Sequence, residues 1–396
     1  MSVKSTLRKR LLNESEEIRL HKVIQIPQDI RMIEKVFKAN SKKLFVVGGA
    51  VRDSILGRSI KDWDLATDAV PDDVIRMLKS QSFINNIIET GKSFGVINAL
   101  TDNDEYEIAT FRIDSSSGDG RRPNSVTFSD IATDVKRRDL TINALFYDLD
   151  TNEVVDLVGG LEDLKNGVIR TVGDAGERFE EDKLRILRAI RFAGRFGSQV
   201  DNKIDQLLSK GIDMSQISGE RIRDEFIKGI EKAKSTIQFL ELMNKYDLLA
   251  HVFPELIPKS GVNPKTFMES HDSTLVVSSL LLPFAGNKLK GQLNGFKWSS
   301  EEVTNIEFLT TWLPNLNPDF IKQFKSKQVR TTLSDDQIME FAKFNGLNME
   351  MIIAMLKFNL TVGGDEVMAK FGIKGKDVGN MIAKLEADNF KSTLNQ

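Results

Sequence analysis

The chain has 396 residues, 40% of them hydrophobic, and its 55 Lys and Arg balance 57 Asp and Glu to a formal charge of −2. This composition is typical of a globular protein with roughly two to four domains, and any contact with a polyanion needs a local basic face. The sequence has no cysteine, no apolar run near about twenty residues and no secretory signal, which excludes disulfides, cysteine-ligated zinc and a membrane partner. We expect a cytoplasmic protein and infer no protein partner.

The first half of the chain predicts a mixed α/β domain. Residues 1–26 are strongly charged and are interpreted as a frayed or partly helical extension without an assigned function. Within 27–160, short β-rich runs such as "KLFVV", "FGVINAL" and "EYEIATFR" alternate with helical patterns. We therefore predict a five-stranded mixed sheet with helices over this range.

The pattern changes after "DLVGG" at 156–160, where Gly159 and Gly160 are interpreted as a hinge because glycine accepts large backbone rotations. Amphipathic helical periodicity follows to the carboxyl end with few strand signals. The chain is thus predicted to be α+β, with helical segments at 161–235, 236–330 and 331–396.

The stretch "GGAVRDSILGRSIKDWDLAT" at 48–67 carries the first chemical signal. On a strand, Asp62 and Asp64 lie on the same face, and two adjacent carboxylates favour a divalent cation such as Mg²⁺. Gly48 and Gly49 open a helix whose backbone N–H groups can approach a triphosphate, with Arg52 adding charge. The pattern indicates metal-assisted nucleotidyl transfer. Its alternative is a glycine turn followed by a surface aspartate pair.

The whole segment "FVVGGAVRDSILGRSIKDWDLAT" resembles the amino-terminal signature of class II tRNA nucleotidyltransferases and of the related bacterial poly(A) polymerases, in the polymerase-beta-like superfamily. Further motifs follow in the same order and extend the resemblance over roughly residues 43–235. It implies a catalytic head followed by a helical neck, body and tail in an elongated arrangement, and Mg²⁺ at Asp62 and Asp64.

Two more head motifs carry the resemblance. In "EYEIATFR", Glu107 would join the two aspartates as a catalytic carboxylate, whereas its alternative is a solvent-facing strand glutamate. "KRRDLTINAL" at 136–145 resembles the ribose-reading motif, in which Arg138 and Asp139 would hydrogen-bond the sugar hydroxyls. Without the resemblance, these two residues are a charged cluster before a strand.

The segment "EEDKLRILRAIRF" spaces four charged residues, Asp182, Arg185, Arg188 and Arg191, at i+3 steps along one predicted helix. Spacing alone also fits a salt-bridged surface helix. "EDKLR" resembles the family's base-reading motif, which implies that Asp182 accepts from the amine of C or A while Arg185 donates to a ring nitrogen. Arg188 and Arg191 would reach the phosphates.

The resemblance implies addition of CCA to the tRNA 3′ end with CTP and ATP as substrates. "ETGKSFGVINAL" at 89–100 stands where poly(A) polymerases usually carry an arginine-rich run, and the full-length loop at 111–130 favours complete CCA addition. Poly(A) synthesis and the addition of A or CC alone stay open within this class. A catalytically silent RNA-binding protein is the alternative from another class.

A last motif, "FGIKGKDVGNMI" at 371–382, resembles the family's tail segment. Lys374 and Lys376 would there contact tRNA, and an ordinary turn between helices fits the residues equally well.

Overall fold

A computed structural model describes residues 8–12, 15–21, 24–114 and 125–394, which divide into two compact units, Met1–Gln216 and Ile217–Gln396. The strands all belong to the first unit: β1 Arg8–Leu12, β2 Ser15–His21, β3 Leu44–Val47, β4 Asp64–Thr67, β5 Asn86–Ile88, β6 Val96–Leu100, β7 Glu105–Thr110, β8 Arg112–Asp114, β9 Val126–Phe128, β10 Phe146–Asp148, β11 Glu153–Asp156, β12 Val168–Ile169 and β13 Gln199–Val200.

The helices of the first unit are α1 Gln28–Ala39, α2 Gly49–Ile55, α3 Pro71–Lys79, α4 Ile131–Asp134, α5 Gly160–Asn166, α6 Ala175–Glu181, α7 Leu184–Phe196 and α8 Asn202–Leu208. Those of the second unit are α9 Gly219–Lys232, α10 Thr236–Lys245, α11 Leu248–Val252, α12 Ser273–Leu281, α13 Leu289–Gly295, α14 Ser300–Glu307, α15 Ile321–Gln328, α16 Asp335–Phe344, α17 Met349–Lys357, α18 Gly364–Phe371 and α19 Lys376–Leu394.

Nine of the described strands form one sheet in the order β1-β2-β11-β10-β3-β4-β7-β6-β5. Among these described strands, only β4 and β7 pair in parallel, and all other neighbouring strands of the sheet are antiparallel. The predicted five-stranded sheet is therefore too small. Part of the difference comes from 1–26, where strands β1 and β2 replace the frayed or partly helical extension and β2 pairs with β11.

The two faces of the sheet differ in how they are covered. On one face, α1 and α3 bury a large apolar core with members such as Ile33, Phe37 and Leu65. The other face carries a smaller cluster around Phe45, Phe111 and Phe146, whose ring centroids lie 5.7 to 6.3 Å apart. Leu65 and Ile108 belong to the large core, so Asp64 and Glu107, which alternate with them along β4 and β7, lie on the face of the smaller cluster.

The segment 156–160, predicted as a hinge, is tightly held in this unit. The Asp156 carboxylate accepts hydrogen bonds from four successive backbone N–H groups, those of residues 158–161, at 2.8 to 3.1 Å. A Cβ at Gly160 would lie 2.2 Å from the carbonyl oxygen of Thr141, so only glycine fits this close approach. Gly159, with φ of 81°, supplies the left-handed turn before α5.

The second unit is helical over its described residues, 217–394, which confirms the predicted change from α/β to helix. Its interior is aromatic at several points, including the Phe226, Phe239 and Phe253 rings, 5.7 to 6.0 Å apart. In the part of the chain that the structure describes, no helix combines the length and apolarity needed to cross a membrane. The α+β class is confirmed, whereas the predicted boundaries at 26, 160, 235 and 330 stay predictions.

Candidate active site

Asp64 lies near two other carboxylates, Asp62 and Glu107, where β4 and β7 run side by side. Asp64 begins β4, and Asp62 precedes it by two residues. The register pairs Leu65 with Ile108, so Asp64 and Glu107 are neighbours on the same face of the sheet. Burial and the charge of Asp62 raise the pKa of Asp64, although Arg138 opposes them. Burial and the charge of Asp64 likewise raise the pKa of Glu107.

This carboxylate set fits a Mg²⁺ ion that shares its ligands with a substrate. Among the described residues, no three His, Cys, Asp or Glu side chains lie close enough to hold one metal ion without help. Mg²⁺ usually takes only one or two protein carboxylates and completes its octahedron with water and substrate phosphates. Burial and then the charge of Asp62 raise the pKa of Asp64, and a bound divalent cation would favour the ionised carboxylate against both effects.

The glycine pair forms a turn between β3 and α2. Gly48 has φ of 67° and donates its N–H to the carbonyl oxygen of Leu145 at 3.0 Å. Gly49 then begins α2, and a Cβ there would make only an ordinary contact. The left-handed conformation therefore explains the first glycine, and the second is not required by packing.

Arg52 lies inside the first unit, 2% exposed, and not at an open surface. Its guanidinium donates twice to Asp53, at 2.9 Å each, and also donates to the side chain of Asn143. The rings of Phe192 and Phe196 each lie 5.1 Å from its guanidinium carbon. The sequence analysis predicted that Arg52 adds positive charge near a triphosphate. In the structure its guanidinium is buried against side chains of α2 and α7.

Arg138 and Asp139 lie side by side but have different partners. Arg138 donates to the buried Asp134 at 3.2 Å and stacks 4.6 Å above the Phe146 ring. Burial alone would raise the pKa of Asp139, but the Arg188 guanidinium and N–H donors lower it below the usual range. Arg188 holds this carboxylate through Nη2 at 2.6 Å and Nε at 2.8 Å.

The predicted single helix through 180–192 is broken. Helix α6 ends at Glu181, and Asp182 adopts an extended conformation with φ of −151°. Its carboxylate then accepts the N–H of Leu184 at 3.0 Å, in the first turn of α7. Asp182 is thus placed between two helices, and the i+3 band of charges on one helix begins only at Arg185.

The three arginines of α7 have distinct environments. Arg185 donates to Glu181 at 2.7 Å and to the carbonyl oxygens of Arg178 and Arg137, at 3.3 Å each. Arg188 binds Asp139, and Arg191 is buried with its guanidinium carbon 4.4 Å from the Phe192 ring centre. Arg185 and Arg188 therefore reach back to the segment that contains Arg138 and Asp139.

Sequence reasoning missed three polar residues that support these side chains. Asp134 receives Arg137 and Arg138, Asn143 links Arg52 to Asp139, and Asp53 accepts from both Arg52 and Arg195. Asp134 lies four residues before Arg138, and in the sequence this spacing is typical of an ordinary surface ion pair on a helix. The Asp53–Arg195 contact spans 142 residues and leaves no local signal in the sequence.

Lys374 and Lys376 belong to the second unit. Both side chains are exposed, in the turn between α18 and α19 where Gly372 and Gly375 have φ of 67° and 63°. The predicted glycine turn between helices is present, and the predicted RNA contact stays a prediction. The loop residues 115–124, on which part of the choice between full and partial addition rested, lie outside the described residues.

Comparison with known proteins agrees with the fold and the motifs. Residues 44–170 match the poly A polymerase head domain, and residues 206–259 match a segment described as a probable RNA and SrmB-binding site of polymerase A. The crystal structure of the Bacillus stearothermophilus CCA-adding enzyme in complex with CTP superposes with a TM-score of 0.70 at 24% identity, over 93% of this chain and 94% of that one. This structure supports the fold alone.

Curated relatives extend the agreement to the family. The CCA-adding enzyme of Leuconostoc mesenteroides is 41% identical over 56% of this chain, an alignment that spans about half (54%) of that relative. The CCA-adding enzyme of Ligilactobacillus salivarius is 31% identical over 92% of this chain and 93% of its own length. Because this second alignment runs along nearly all of both proteins, the chain belongs to the class II tRNA nucleotidyltransferase family of CCA-adding enzymes.

Proposed function

We propose that this chain adds C, C and A to the 3′ end of tRNA, from CTP and ATP and without a nucleic-acid template. The observation that carries the proposal is the apposition of Asp64 and Glu107 on parallel strands, with Asp62 and Arg138 beside them. The near-full-length relative named a CCA-adding enzyme supports the reaction. With these substrates, we expect the protein to work in the cytoplasm.

In the proposed reaction, the 3′-hydroxyl oxygen of the RNA attacks the α-phosphorus of the nucleotide, and the bond to pyrophosphate breaks. Asp62 and Asp64 would hold Mg²⁺, and Glu107 would complete the carboxylate set. Two bound Mg²⁺ ions would supply a better nucleophile and charge stabilisation at the departing pyrophosphate. Gly48, whose own N–H is donated to Leu145, would supply the close turn, and the Gly49 N–H at the start of α2 would face the triphosphate. Arg52 would act from its buried position behind that turn.

The ribose and base would be read by the segments that Arg188 joins. Asp139, held by Arg188, has an orientation fixed before substrate arrives, and with Arg138 it would bind the sugar hydroxyls. Asp182 would accept from the amine of C or A, and Arg185 would exchange its contact with Glu181 for a ring nitrogen. Uracil and guanine present a carbonyl and an N–H at these positions of the base edge, so they would leave Asp182 and Arg185 without matching partners.

The test supplies the protein with tRNA that ends at the discriminator base. The products are sequenced after incubation with CTP, with ATP, or with both, in Mg²⁺. We expect CC with CTP alone and CCA with both nucleotides, and no product from the Asp64→Asn variant under any condition.

The alternatives give different products in the same experiment. Long A tracts without CTP identify a poly(A) polymerase, and a stop after CC or a requirement for a CC end identifies a partial enzyme. Binding of tRNA without any extension identifies a catalytically silent RNA-binding protein, and each of these results would contradict the proposal.

Base reading is tested separately through Asp182. Asp182→Ala removes the acceptor for the amine, so discrimination against UTP should fall by about tenfold to a hundredfold in single-turnover addition. Equal losses with all four nucleotides would assign Asp182 to the helix junction and not to the base.

A further inference from the structure

An aromatic groove in the second unit lies outside the residues used above. It opens between the π-helical turn Phe308–Trp312 and the start of α15, and its cavity is about 260 Å³. Trp312 and Phe320 form its walls, while the buried Phe324 and Met355 form its floor. Phe320 is 52% exposed, so its ring is accessible from solvent at the groove.

The groove carries positive charge on the same side as its aromatic rings. Lys327 lies one helical turn from Phe324 on α15, and its ammonium stands 4.8 Å from the centre of the Trp312 ring. The α15 sequence "IKQFKSKQ" has three lysines and no acidic residue. The residues that line the groove are all uncharged, so the positive charge beside it comes from Lys327, and the neighbouring Asp319 is paired with Lys391.

The rim adds hydrogen-bonding groups of both kinds. Asn315 donates from its amide to the carbonyl oxygen of Thr311 at 2.8 Å, and the Asn317 amide oxygen accepts the N–H of Asp319 at 2.9 Å. These contacts fix both side-chain amides beside the groove. Asn315 uses its NH₂ group and Asn317 uses its carbonyl oxygen in these bonds. A base edge presents donors and acceptors that such amides match.

We propose that this groove binds one unpaired nucleobase of tRNA, stacked on Trp312 and Phe320, with the adjoining phosphate near Lys327. A planar base has an apolar face and polar edges, and its backbone is anionic, so it matches each part of the groove. The cavity is smaller than the roughly 300–1,000 Å³ of pockets for drug-sized ligands, which suits a single ring system. The proposal rests on the proposed function only in taking tRNA as the RNA.

The site would act in binding and not in chemistry. A stacked base and a phosphate contact add affinity for tRNA. Their loss is therefore measured as a higher KM for tRNA and a weaker dependence of binding on salt. We therefore expect the KM for CTP and the kcat at saturating tRNA to stay at their parental values when the groove is altered. A residue that contributes to the reaction itself would lower kcat instead.

The test measures tRNA binding by filter retention and steady-state kinetics with the full chain. Phe320→Ala, at an exposed position, and Trp312→Ala should each raise the Kd for tRNA about tenfold, and Trp312→Phe should restore most of the loss. Lys327→Gln should flatten the salt dependence. Val329→Ala is the matched control, because Val329 is 81% exposed just beyond the same helix and lines no part of the groove.

Parental tRNA affinity in both Phe320→Ala and Trp312→Ala, with a folded protein by circular dichroism, would overturn the proposal. A change in sedimentation of Phe320→Ala without a change in tRNA affinity would assign the groove to protein association and also overturn it. Failure of the proposed function gives a separate result: if the parent extends no tRNA, a Kd that depends on Phe320 still supports the groove.

Discussion

Asp64, the proposed metal ligand, carries an electrostatic cost to the fold. Its pKa is raised, first by burial and then by Asp62, so the folded state favours the protonated carboxyl. The stability linked to this group is present below its unfolded pKa and is lost as the pH rises through the raised folded pKa. At pH 7, therefore, the ionised Asp64 lowers the free energy of unfolding.

We expect Asp64→Asn to abolish activity and to stabilise the protein slightly. Turnover should fall by about three orders of magnitude or more, since metal-mediated charge stabilisation contributes several kcal/mol. Without Mg²⁺ at pH 7, Tm should rise by on the order of 1 °C, because solvent screens much of the repulsion. Thermal unfolding with EDTA or Mg²⁺ checks this, and Mg²⁺ should raise the parent's Tm and not the variant's. An active variant, or one that keeps the Mg²⁺ shift, would refute the assignment.

Asp134 is a positioning residue that the sequence did not reveal. Its carboxylate is 1% exposed and accepts from Arg137 and Arg138 as well as from the N–H of Arg112 at 3.2 Å. Asp134→Asn should free Arg138 and lower kcat/KM for CTP by about tenfold, with a loss of about 3 kcal/mol in stability. Asp130→Asn, at the exposed cap of α4, should leave both stability and kcat/KM nearly unchanged, because Asn caps a helix about as well as Asp. Equal kinetic losses in both variants would contradict this role.

At the residue scale, the sequence singled out the residues proposed to bind substrate and metal but not the residues that hold them. Asp62 and Asp64 were predicted to share one face of a strand, whereas β4 begins at Asp64 and Asp62 lies before it. Asn143 and Asp53 support the site through partners 91 and 142 residues away, and such contacts leave no periodic trace.

At the scale of helices and strands, long periodic segments were predicted well and junctions were not. The helical second unit and strands β3, β6 and β7 agree with the hydrophobic pattern. The break at Asp182 was missed because the hydrophobic periodicity continues through it. The short Asp182 side chain accepts the nearby N–H of Leu184, and such a bond favours a non-helical backbone over a continuous helix. The sequence predicted a hinge at 156–160 and did not predict that Asp156 holds this segment by accepting four backbone N–H groups, because an aspartate before a glycine pair looks like an ordinary turn residue.

The junction before α5 gives a prediction at this scale. Gly160→Ala should lower the free energy of unfolding by more than about 2 kcal/mol, because the new Cβ would meet the Thr141 carbonyl oxygen at 2.2 Å. Gly291→Ala is the control: Gly291 lies within α13 with nothing within 4 Å of a Cβ, so alanine should be neutral or stabilising by about 0.5–1 kcal/mol. Chemical denaturation of both variants measures the difference, and similar stabilities would argue that the α5 start is adaptable.

At the scale of the whole molecule, a chain with net charge −2 must bind an RNA through local basic surfaces. Two such surfaces lie in the second unit, the lysines of α15 and the exposed turn with Lys374 and Lys376. The change in periodicity made the order of an α/β part followed by a helical part predictable, and the head motifs led to the proposed reaction. The α15 groove could not be predicted from the sequence, because its lining residues, which lie between 311 and 355, come together only in the folded chain.

The turn between α18 and α19 provides the last prediction. Removing charge at Lys374 or Lys376 with alanine should raise the KM for tRNA a few-fold and reduce the slope of log affinity against log salt by about one for each lost phosphate contact. The kcat and the KM for CTP should not change, because the carboxylates and the base-reading residues belong to the other unit. Lys384→Ala removes an exposed charge from the same helix, α19, outside the turn, and controls for net charge. If the turn variants and Lys384→Ala shift the salt slope equally, the turn acts only through overall charge, and its glycines serve to join two helices.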